Sequence, residues 1–443
     1  IAIIVGIVIG AGIFKAPALV AEMSGHTGWM FGAWLLGGIA SLIGALCYAE
    51  LATAYPHAGG DYHFLQRAFG RSTSLLFGWA RLSVITTGSI ALLAFVFGDY
   101  VATVLPMPGL GAAGSSALYA ALSIIVLTHV NLRGIKSGAR TQVWLTAVEV
   151  LGLMLVVVGA FFAPDPAPIA AAARAVSGSA QSAPSLAMFG LAMVFVLLTY
   201  GGWNEAAYIS AELQDKRRNM VRALIWAIAI ITALYLAVAW AYWEGLGLAG
   251  MAKSQAIAAD LLGAAFGTPG QIAISLLVAV TALTSINATL IVGARTGYAM
   301  GRDWPVLEKL AHWDDRRGTP ANAFRLQCIA ALLLVGIGAW AGSSFRAMVE
   351  FTAPVFWLFF LLSGISLFVL RVREPEHARP FRVPLYPVLP LLFCLMCAYM
   401  LWSSLSYVYS QQMGGLNAAW ISVAVLAVGA VILLFMRGAP ARQ

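Results

Sequence analysis

Two glycine-interrupted apolar segments contain the residues of this sequence that are best suited to chemistry. Gly10 and Gly12 interrupt the first apolar run, and Gly201 and Gly202 interrupt the sixth. Glycine costs about 1 kcal/mol per residue inside a helix, and a backbone group without a partner in lipid is costlier still. Such interruptions therefore persist where the freed N–H and C=O groups face protein, water or a ligand.

The chemistry available at these interruptions is that of bare helix ends. A helix broken within a membrane presents free N–H groups on one half and free C=O groups on the other. The N–H end suits a carboxylate, and the C=O end suits an ammonium group. A zwitterionic α-amino acid satisfies both ends without a charged side chain in the site. Close helix packing is the alternative reason for the glycines, but two breaks in corresponding halves favour a binding site.

The predicted substrate site consists of the two interruptions and the residues that flank them. Ala11 and Gly12 are small enough for a ligand to approach the backbone closely. Tyr200 and Trp203 are expected to wall the pocket for the ligand's side chain, and Asn204 can donate or accept a hydrogen bond. The full set of predicted substrate-binding residues is Val8, Ile9, Gly10, Ala11, Gly12, Leu198, Tyr200, Gly201, Trp203 and Asn204.

The elements that position these residues are apolar helices. The chain has 61% hydrophobic and 10% charged residues, whereas soluble domains have about 25% charged residues. Apolar runs of about 20 residues predict membrane-spanning helices, since barrel strands are about 10 residues long and alternate in polarity. The predicted spans are 1–24, 28–55, 72–104, 115–130, 139–163, 185–211, 222–247, 271–300, 322–341, 347–371, 388–409 and 416–436.

The basic residues predict the orientation of these spans. With a cytoplasmic N-terminus, 20 of the 26 Lys and Arg residues fall in interior loops and the tail, and three fall outside. This bias follows the positive-inside rule, so the net charge of +8 indicates contact with lipid head groups rather than nucleic acid. We expect a multi-pass protein, in the inner membrane of a bacterium, with both termini cytoplasmic. Glu50 and Arg67 are expected to anchor the 56–71 hairpin at the cytoplasmic margin.

The spacing of the breaks predicts an internal repeat within one membrane domain, 1–443. Residues 1–163 form a first unit of five spans, residues 185–371 form a second, and residues 388–436 form two accessory helices. The segment from Pro164 to Pro184 separates the two units. Each unit opens with its own broken helix, and an odd number of spans inverts the second unit relative to the first.

Four stretches of the sequence resemble the amino acid–polyamine–organocation superfamily, in particular its L-amino acid transporter branch. They are IVIGAGIF at 7–14, CYAELATAYPHAGGDYHFL at 47–65, LTYGGWNEAAYISAE at 198–212 and SINATLIVGARTGYAMGRD at 285–303. The resemblance implies an all-α membrane protein with a LeuT-like 5+5 inverted repeat, discontinuous first and sixth spans, and two extra helices. It also implies that the Val8 carbonyl and the backbone around Leu198 and Gly201 hold the substrate ammonium. The amides of Ala11 and Gly12 would hold its carboxylate.

Two departures from the family pattern bear on gating and on partners. Leu198 stands where L-amino acid transporters commonly have an aromatic gate. The exterior loop from Leu105 to Ser115 contains no cysteine. A disulfide-linked heavy subunit, as in the animal heteromeric members, is therefore not expected.

A third departure concerns two charged residues within spans. Glu149 stands where a lysine is typical of the family, and Arg81 stands where the L-amino acid transporters have glutamate. Both lie about 15 Å from a cytoplasmic helix start by helical rise, so an ion pair between them is one interpretation. The other is that Glu149 is a proton site that gates the broken first helix, because ionisable residues in spans often mark relays.

The sequence thus predicts a secondary active transporter of amino acids, most directly neutral L-amino acids, that works by exchange or proton symport. A proton-coupled carrier of cationic amino acids or amines is the alternative, and a non-transporting amino-acid receptor or sensor is a third. The sequence contains no Gly-x-Ser-x-Gly elbow, HExxH motif or P-loop, which argues against an enzyme. No cofactor or metal is expected.

Overall fold

The computed structural model describes residues 8–57, 59–134, 139–163, 183–204, 217–314, 316–340, 344–410, 412–413 and 416–436. The described residues are helical apart from one antiparallel pair of short strands, β1 (Gln412–Met413) and β2 (Leu416–Asn417). The helices are α1 (Ala16–Ser24), α2 (Thr27–Ala54), α3 (Asp61–Phe69), α4 (Arg71–Ala80), α5 (Thr86–Val104), α6 (Gly111–Leu132), α7 (Ala139–Ala160), α8 (Leu186–Thr199), α9 (Arg217–Lys253), α10 (Ile257–Asp303), α11 (Ala321–Trp340), α12 (Ser344–Arg373), α13 (Val388–Ser410) and α14 (Ala418–Met436). Short 3-10 helices occupy Ala11–Phe14 and Pro305–Ala311, and a π-helical turn, Arg81–Ile85, joins α4 to α5.

The helices confirm the predicted architecture at the level of helical membrane spans. Within the described residues, eight helices are long and apolar enough to cross a membrane, and two shorter apolar helices, Ala147–Ala160 and Leu186–Thr199, accompany them. This number is below the twelve predicted spans. Residues 1–7, 164–182 and 205–216, which hold the start of the first span, most of the linker and the end of the sixth span, lie outside the described residues.

Local sequence explains where several of these helices begin and turn. Helix α8 begins after Ser185, whose hydroxyl accepts a hydrogen bond from the Met188 N–H at 3.2 Å, as an N-cap residue does. Helix α9 continues beyond residue 247, the predicted end of its span, and helix α10 begins before residue 271, the predicted start of its span. Each helix contains one residue with non-helical backbone angles. These residues are Gly247 in α9 and Gly267 in α10. The predicted boundaries therefore fall at or close to the turns of the chain.

The helices enclose two clusters of buried apolar side chains. The first cluster unites α1, α2, α8, α9 and the earlier half of α10 with parts of α3, α5, α7, α12 and α13. The second cluster unites α5, α6, the later half of α10, and α11 with part of α12. Both broken segments belong to the first cluster, because Val8, Ala11, Val196 and Tyr200 are among its members.

A strap of chain after α12 is bound to the end of α2. The strap comprises residues 374–387. It contacts Glu50 on α2, whose side chain is 2% exposed. That carboxylate accepts hydrogen bonds from the guanidinium of Arg371 and from the Val383 N–H at 2.6 Å. The Arg379 Nε lies 3.7 Å away. Glu50 therefore anchors the strap as well as the margin of α2.

A second, more exposed ion pair binds the strap to α3. Arg67 donates to both carboxylate oxygens of Glu374, at 2.8 and 2.9 Å. The hydrogen bonds from Arg67 lower the pKa of Glu374, and they raise the pKa of Arg67 in turn. Both groups remain charged at neutral pH, so the contact between α3 and the strap is an ion pair under physiological conditions.

We predict that Glu50→Gln lowers the thermal stability of the purified protein. The substitution leaves the buried Arg371 guanidinium without its counter-charge, a change that typically costs about 3–5 kcal/mol. The midpoint of thermal unfolding in detergent measures the effect. The matched control is Glu376→Gln, which alters an exposed acid in the same strap. Equal midpoints for the two variants would contradict the role given to Glu50.

Candidate functional site

The first break is the stretch from Ile9 to Lys15, where the helix of the first span is replaced by an extended residue and a 3-10 turn. Gly10 is extended, with φ −140° and ψ 179°, and the turn Ala11–Phe14 follows it directly. The Lys15 N–H donates to the Gly12 carbonyl at 3.0 Å and closes this turn. The first N–H groups of such a turn, those of Ala11 and Gly12, have no partner within it. Neither donates to a backbone carbonyl outside the turn among the described residues, so both can bind an anionic ligand.

The second break is the stretch from Tyr200 to Gly202, directly after α8. The Tyr200 N–H donates to the Val196 carbonyl at 3.0 Å, and the Gly201 N–H donates to the Leu198 carbonyl at 3.1 Å. Gly202 has φ +101°, a conformation that side-chain-bearing residues rarely adopt. Helical geometry resumes at Trp203. Glycine at position 202 therefore permits the turn of the chain that ends α8.

The two breaks touch each other. A Cβ atom added to Gly12 would lie 3.4 Å from the Thr199 Oγ1 and 3.5 Å from the Thr199 Cα. Both distances are those of ordinary van der Waals contact, so the first break lies directly against the end of α8. The backbone groups of the two breaks are therefore neighbours in the fold, and their use as one binding site stays a prediction.

Tyr235 on α9 joins the two breaks through its hydroxyl group. The hydroxyl lies 3.1 Å from the Thr199 carbonyl oxygen and 3.3 Å from the Val8 carbonyl oxygen, and its single proton is shared between the two. The Gly10 backbone also interacts with this hydroxyl. Sequence reasoning missed Tyr235, because nothing in its local sequence distinguishes it from the other aromatic residues of the seventh span.

Tyr200 has a packing role in this structure. Its side chain is 1% exposed, and its hydroxyl donates to the Trp34 carbonyl on α2 at 3.0 Å. Its ring lies edge-on to the Tyr235 ring, with centroids 5.0 Å apart. Tyr200 thus holds the second break against α2 and α9.

A small, mainly apolar cavity adjoins the second break. Three predicted site residues line it, Gly201, Trp203 and Asn204. The other lining residues come from α2, α8, α12 and α13, and are Ala40, Leu197, Phe356, Trp357, Phe360 and Met396. None of the lining residues carries a charge. The sequence predicted Trp203 and Asn204 here but missed the aromatic residues of α12, which follow no recognisable motif.

Trp203 is supported from the hairpin that contains α3. Asp61, the first residue of α3, accepts hydrogen bonds from the hydroxyls of Tyr48 and Ser363, each at 2.7 Å. The Tyr48 ring packs edge-on against the Trp203 indole, with centroids 5.2 Å apart. The cavity wall therefore rests on a hydrogen-bonded tyrosine rather than on apolar packing alone.

Glu149 on α7 lies near the Tyr235 hydroxyl that joins the two breaks. Its side chain is buried, and its Oε2 has no hydrogen-bond partner among the described residues. Helix α7 packs against α9 and α10, and Glu149 is close enough to Tyr235 to act on its hydroxyl electrostatically. A buried carboxyl oxygen without a partner is costly, and such a group is a candidate for proton binding.

Arg81 lies between α4 and α5 rather than on α7, the helix that carries Glu149. It opens the π-helical turn Arg81–Ile85 between α4 and α5 and is half-buried. None of the ion pairs formed by the described residues joins Arg81 to Glu149. Equal depth in the membrane was the only basis for that pairing, and depth does not determine which face of a helix a side chain occupies.

The N–H groups of Ala11 and Gly12 and the carbonyl groups at the end of α8 offer partial backbone charges, while the charged Lys15 at the end of the first break is paired with Asp99. No group of three or more His, Cys, Asp or Glu side chains in the described residues is arranged to hold a metal ion. The chemistry supplied is reversible binding: N–H groups at Ala11 and Gly12, carbonyl groups at the end of α8, and an aromatic cavity beside them. This combination matches a small zwitterion with an uncharged side chain.

Comparison with known proteins agrees with this chemistry. The family model described as amino acid permease matches residues 1–433. The mouse large neutral amino acids transporter small subunit 2 is 29% identical over 411 residues, which cover 90% of this chain and 75% of the mouse protein. The b(0,+)-type amino acid transporter 1 of mouse is 29% identical over 396 residues, which cover 89% of this chain and 80% of that protein. Since the family model spans nearly the whole chain, the protein belongs to the amino acid permease family.

Proposed function

We propose that this protein is a secondary active transporter of neutral L-amino acids that works by alternating access at the two breaks. The observation that carries the proposal is the contact between Gly12 and Thr199, which brings the N–H groups of the first break close to the carbonyl groups at the end of α8. The names of its mouse relatives, one a transporter of large neutral amino acids, support amino acids as the substrate class.

The substrate carboxylate binds the N–H groups of Ala11 and Gly12 in this proposal. The substrate ammonium binds carbonyl groups at Val8, Leu198 and the second break, next to Ile9 and Gly10. The Val8 carbonyl already accepts a hydrogen bond from Tyr235, but a carbonyl oxygen has two lone pairs and can accept a second. The uncharged lining of the cavity at Trp203 and Asn204 favours a neutral side chain.

Glu149 serves as the coupling residue in this proposal. Its buried, partly unpartnered carboxyl group and its closeness to the Tyr235 hydroxyl support proton symport over exchange. Protonation of Glu149 changes the field at the hydroxyl that holds both breaks, so the proton gates the broken first helix. Arg81 acts with it, through the π-helical turn that it opens, since such turns are frequent at functional sites.

The same buried acid favours one alternative substrate class. A cationic amino acid or an amine gains from a carboxylate near the binding site, and the buried Glu149 carboxyl group acts electrostatically on the Tyr235 hydroxyl that joins the breaks. The apolar cavity lining opposes this alternative. A receptor or sensor that binds amino acids without moving them is the alternative from another class.

The proposed architecture is a LeuT-like 5+5 inverted repeat of twelve spans with cytoplasmic termini. Residues 1–163 and 185–371 are the two repeats, and residues 388–436 are the accessory helices. The eight apolar helices, the shorter apolar helices at 147–160 and 186–199, and the paired breaks support this topology. The loop between α5 and α6 lacks a cysteine, so we expect no disulfide-linked heavy subunit.

Uptake by the purified protein in proteoliposomes tests the proposed function. We expect saturable uptake of leucine and alanine that exceeds the uptake of lysine or putrescine, because the cavity offers no counter-charge. Imposed proton and sodium gradients, with and without internal substrate, separate symport from exchange. Faster uptake of lysine or putrescine would support the cationic alternative. Binding of leucine without transfer to the lumen would support the receptor.

A second prediction concerns proton coupling. Glu149→Gln removes the titratable group while keeping the shape of the side chain, so uptake of leucine should lose its dependence on pH. The measurement is the initial uptake rate from about pH 5.5 to 8, where buried carboxyl groups can titrate. Glu376→Gln, an exposed acid in the strap, is the control and should keep the profile of the unaltered protein. An unchanged profile for Glu149→Gln contradicts the coupling role.

A third prediction concerns the hydroxyl that joins the breaks. Tyr235→Phe leaves two buried carbonyl groups without their donor, and a lost buried partner costs about 1–3 kcal/mol. We expect the ratio kcat/KM for leucine uptake to fall by about tenfold or more. Tyr242→Phe is a matched control on the same helix, since the Tyr242 hydroxyl is buried without a hydrogen-bond partner among the described residues. Equal uptake by the two variants would rule out a role for the Tyr235 hydroxyl.

A further inference from the structure

A buried cation lies at the end of the first break and has no part in the function proposed above. The Lys15 side chain is 7% exposed, and its Nζ lies 2.6 Å from the Asp99 Oδ2 on α5. The same Nζ donates to the backbone carbonyl of Gln255, in the connection between α9 and α10, and lies 3.4 Å from the Gln255 Oε1. The ammonium group therefore binds two elements that are remote from it in sequence.

The Asp99 carboxylate also accepts a hydrogen bond from a third element, α6. Its Oδ1 accepts a hydrogen bond from the Ser116 hydroxyl on α6 at 2.6 Å. A buried ion pair often contributes less stability than apolar residues of similar volume. The presence of the Lys15–Asp99 ion pair therefore points to a requirement for a defined geometry of the elements that it joins. Buried polar groups serve this purpose in some other proteins.

The residues next to Asp99 and Lys15, which are Tyr100 and Phe14, form a second connection between the same elements. The Tyr100 hydroxyl, one residue after Asp99, donates to the Phe14 carbonyl at 2.6 Å, one residue before Lys15. The same hydroxyl accepts from the Ala258 N–H at 3.2 Å, close to Gln255 in the chain. Two consecutive residues of the first break are thus bound by two consecutive residues of α5, and both contacts extend to the segment 255–258.

These contacts fix the far side of the 3-10 turn. The turn ends in the Phe14 carbonyl and the Lys15 side chain, both of which are bound, and the Lys15 N–H closes the turn onto Gly12. The near side of the turn is left with the N–H groups of Ala11 and Gly12. A shift of about 1 Å in the groups that orient a ligand can cost about a hundredfold in activity, so anchoring this turn matters for any ligand bound by those N–H groups.

We propose that Lys15, Asp99 and Tyr100 are positioning residues that hold the N–H groups of the first break in the geometry that recognises a substrate carboxylate. This inference rests on the proposed function, since it assumes that Ala11 and Gly12 bind that carboxylate. The anchors connect the first break to α5, α6 and the segment 255–258. Recognition of the carboxylate therefore depends on contacts between the first break and these three elements.

The test compares a ligand that has a carboxylate with one that lacks it. L-Leucine and its carboxamide, L-leucinamide, compete for uptake of radiolabelled leucine in proteoliposomes, and the ratio of their inhibition constants measures carboxylate recognition. We expect the unaltered protein to prefer leucine strongly. Lys15→Met should reduce this ratio by about tenfold or more, because the turn is no longer held. Lys15→Arg keeps the cation and should restore most of the ratio.

Two further variants separate positioning from folding. Tyr100→Phe removes one hydroxyl without burying a charge, and we expect it to reduce the ratio even if Lys15→Met fails to fold. Glu22→Gln breaks the ion pair between the other end of α1 and Arg346, whose atoms are 3.0 Å apart. This control lies away from the turn and should leave the ratio unchanged.

The outcomes distinguish this inference from the proposed function. An unchanged ratio in folded Tyr100→Phe and in folded Lys15→Met overturns the positioning role while leaving transport intact. An equal loss of ratio in Glu22→Gln also overturns it, since the effect would then follow from any weakening of α1. If the unaltered protein neither binds nor transports leucine, the proposed function fails and the inference fails with it.

Discussion

Backbone polar groups that leave a helix inside a membrane have to find other partners, because lipid offers none. In this protein that constraint applies where the first break lies against the end of α8. Gly12 lies in contact with Thr199, and the Tyr235 hydroxyl binds the Val8 and Thr199 carbonyls together. The N–H groups at the start of the 3-10 turn are not used in this way. The arrangement thus leaves a site of partial positive charge beside carbonyl groups, which is what a zwitterion requires.

The remainder of the fold holds this site from several sides. Glycines of α2 allow α8 and the second break to pack closely, since a Cβ at Gly37 would lie 2.3 Å from the Val196 side chain and one at Gly44 would lie 2.6 Å from Trp203. Tyr48 supports Trp203 through its hydrogen bond to Asp61. Lys15 and Tyr100 bind the first break to α5 and to the segment 255–258. The geometry of the two breaks is therefore held by packing between several helices rather than by one side chain.

The sequence predicted the helical membrane architecture and the two breaks, because apolar run length and glycine placement are local signals. It also predicted that Gly201, Trp203 and Asn204 lie at one place, and these residues line the cavity. It did not identify Tyr235, Trp357 or the partner of Lys15, since these contacts join residues far apart in the chain. The pairing of Arg81 with Glu149 rested on depth alone and is not formed among the described residues. All of these contacts depend on how each helix is rotated and packed. A single sequence encodes this information only weakly.

A structure of the protein with bound L-leucine, determined by cryo-electron microscopy in lipid nanodiscs, tests the central claim most directly. The account predicts that the leucine carboxylate lies within hydrogen-bond distance of the Ala11 and Gly12 N–H groups. The leucine ammonium should contact carbonyls of the two breaks, and its side chain should face the cavity at Trp203. Leucine bound elsewhere, or bound in the cavity without contact to the backbone of either break, would contradict the account.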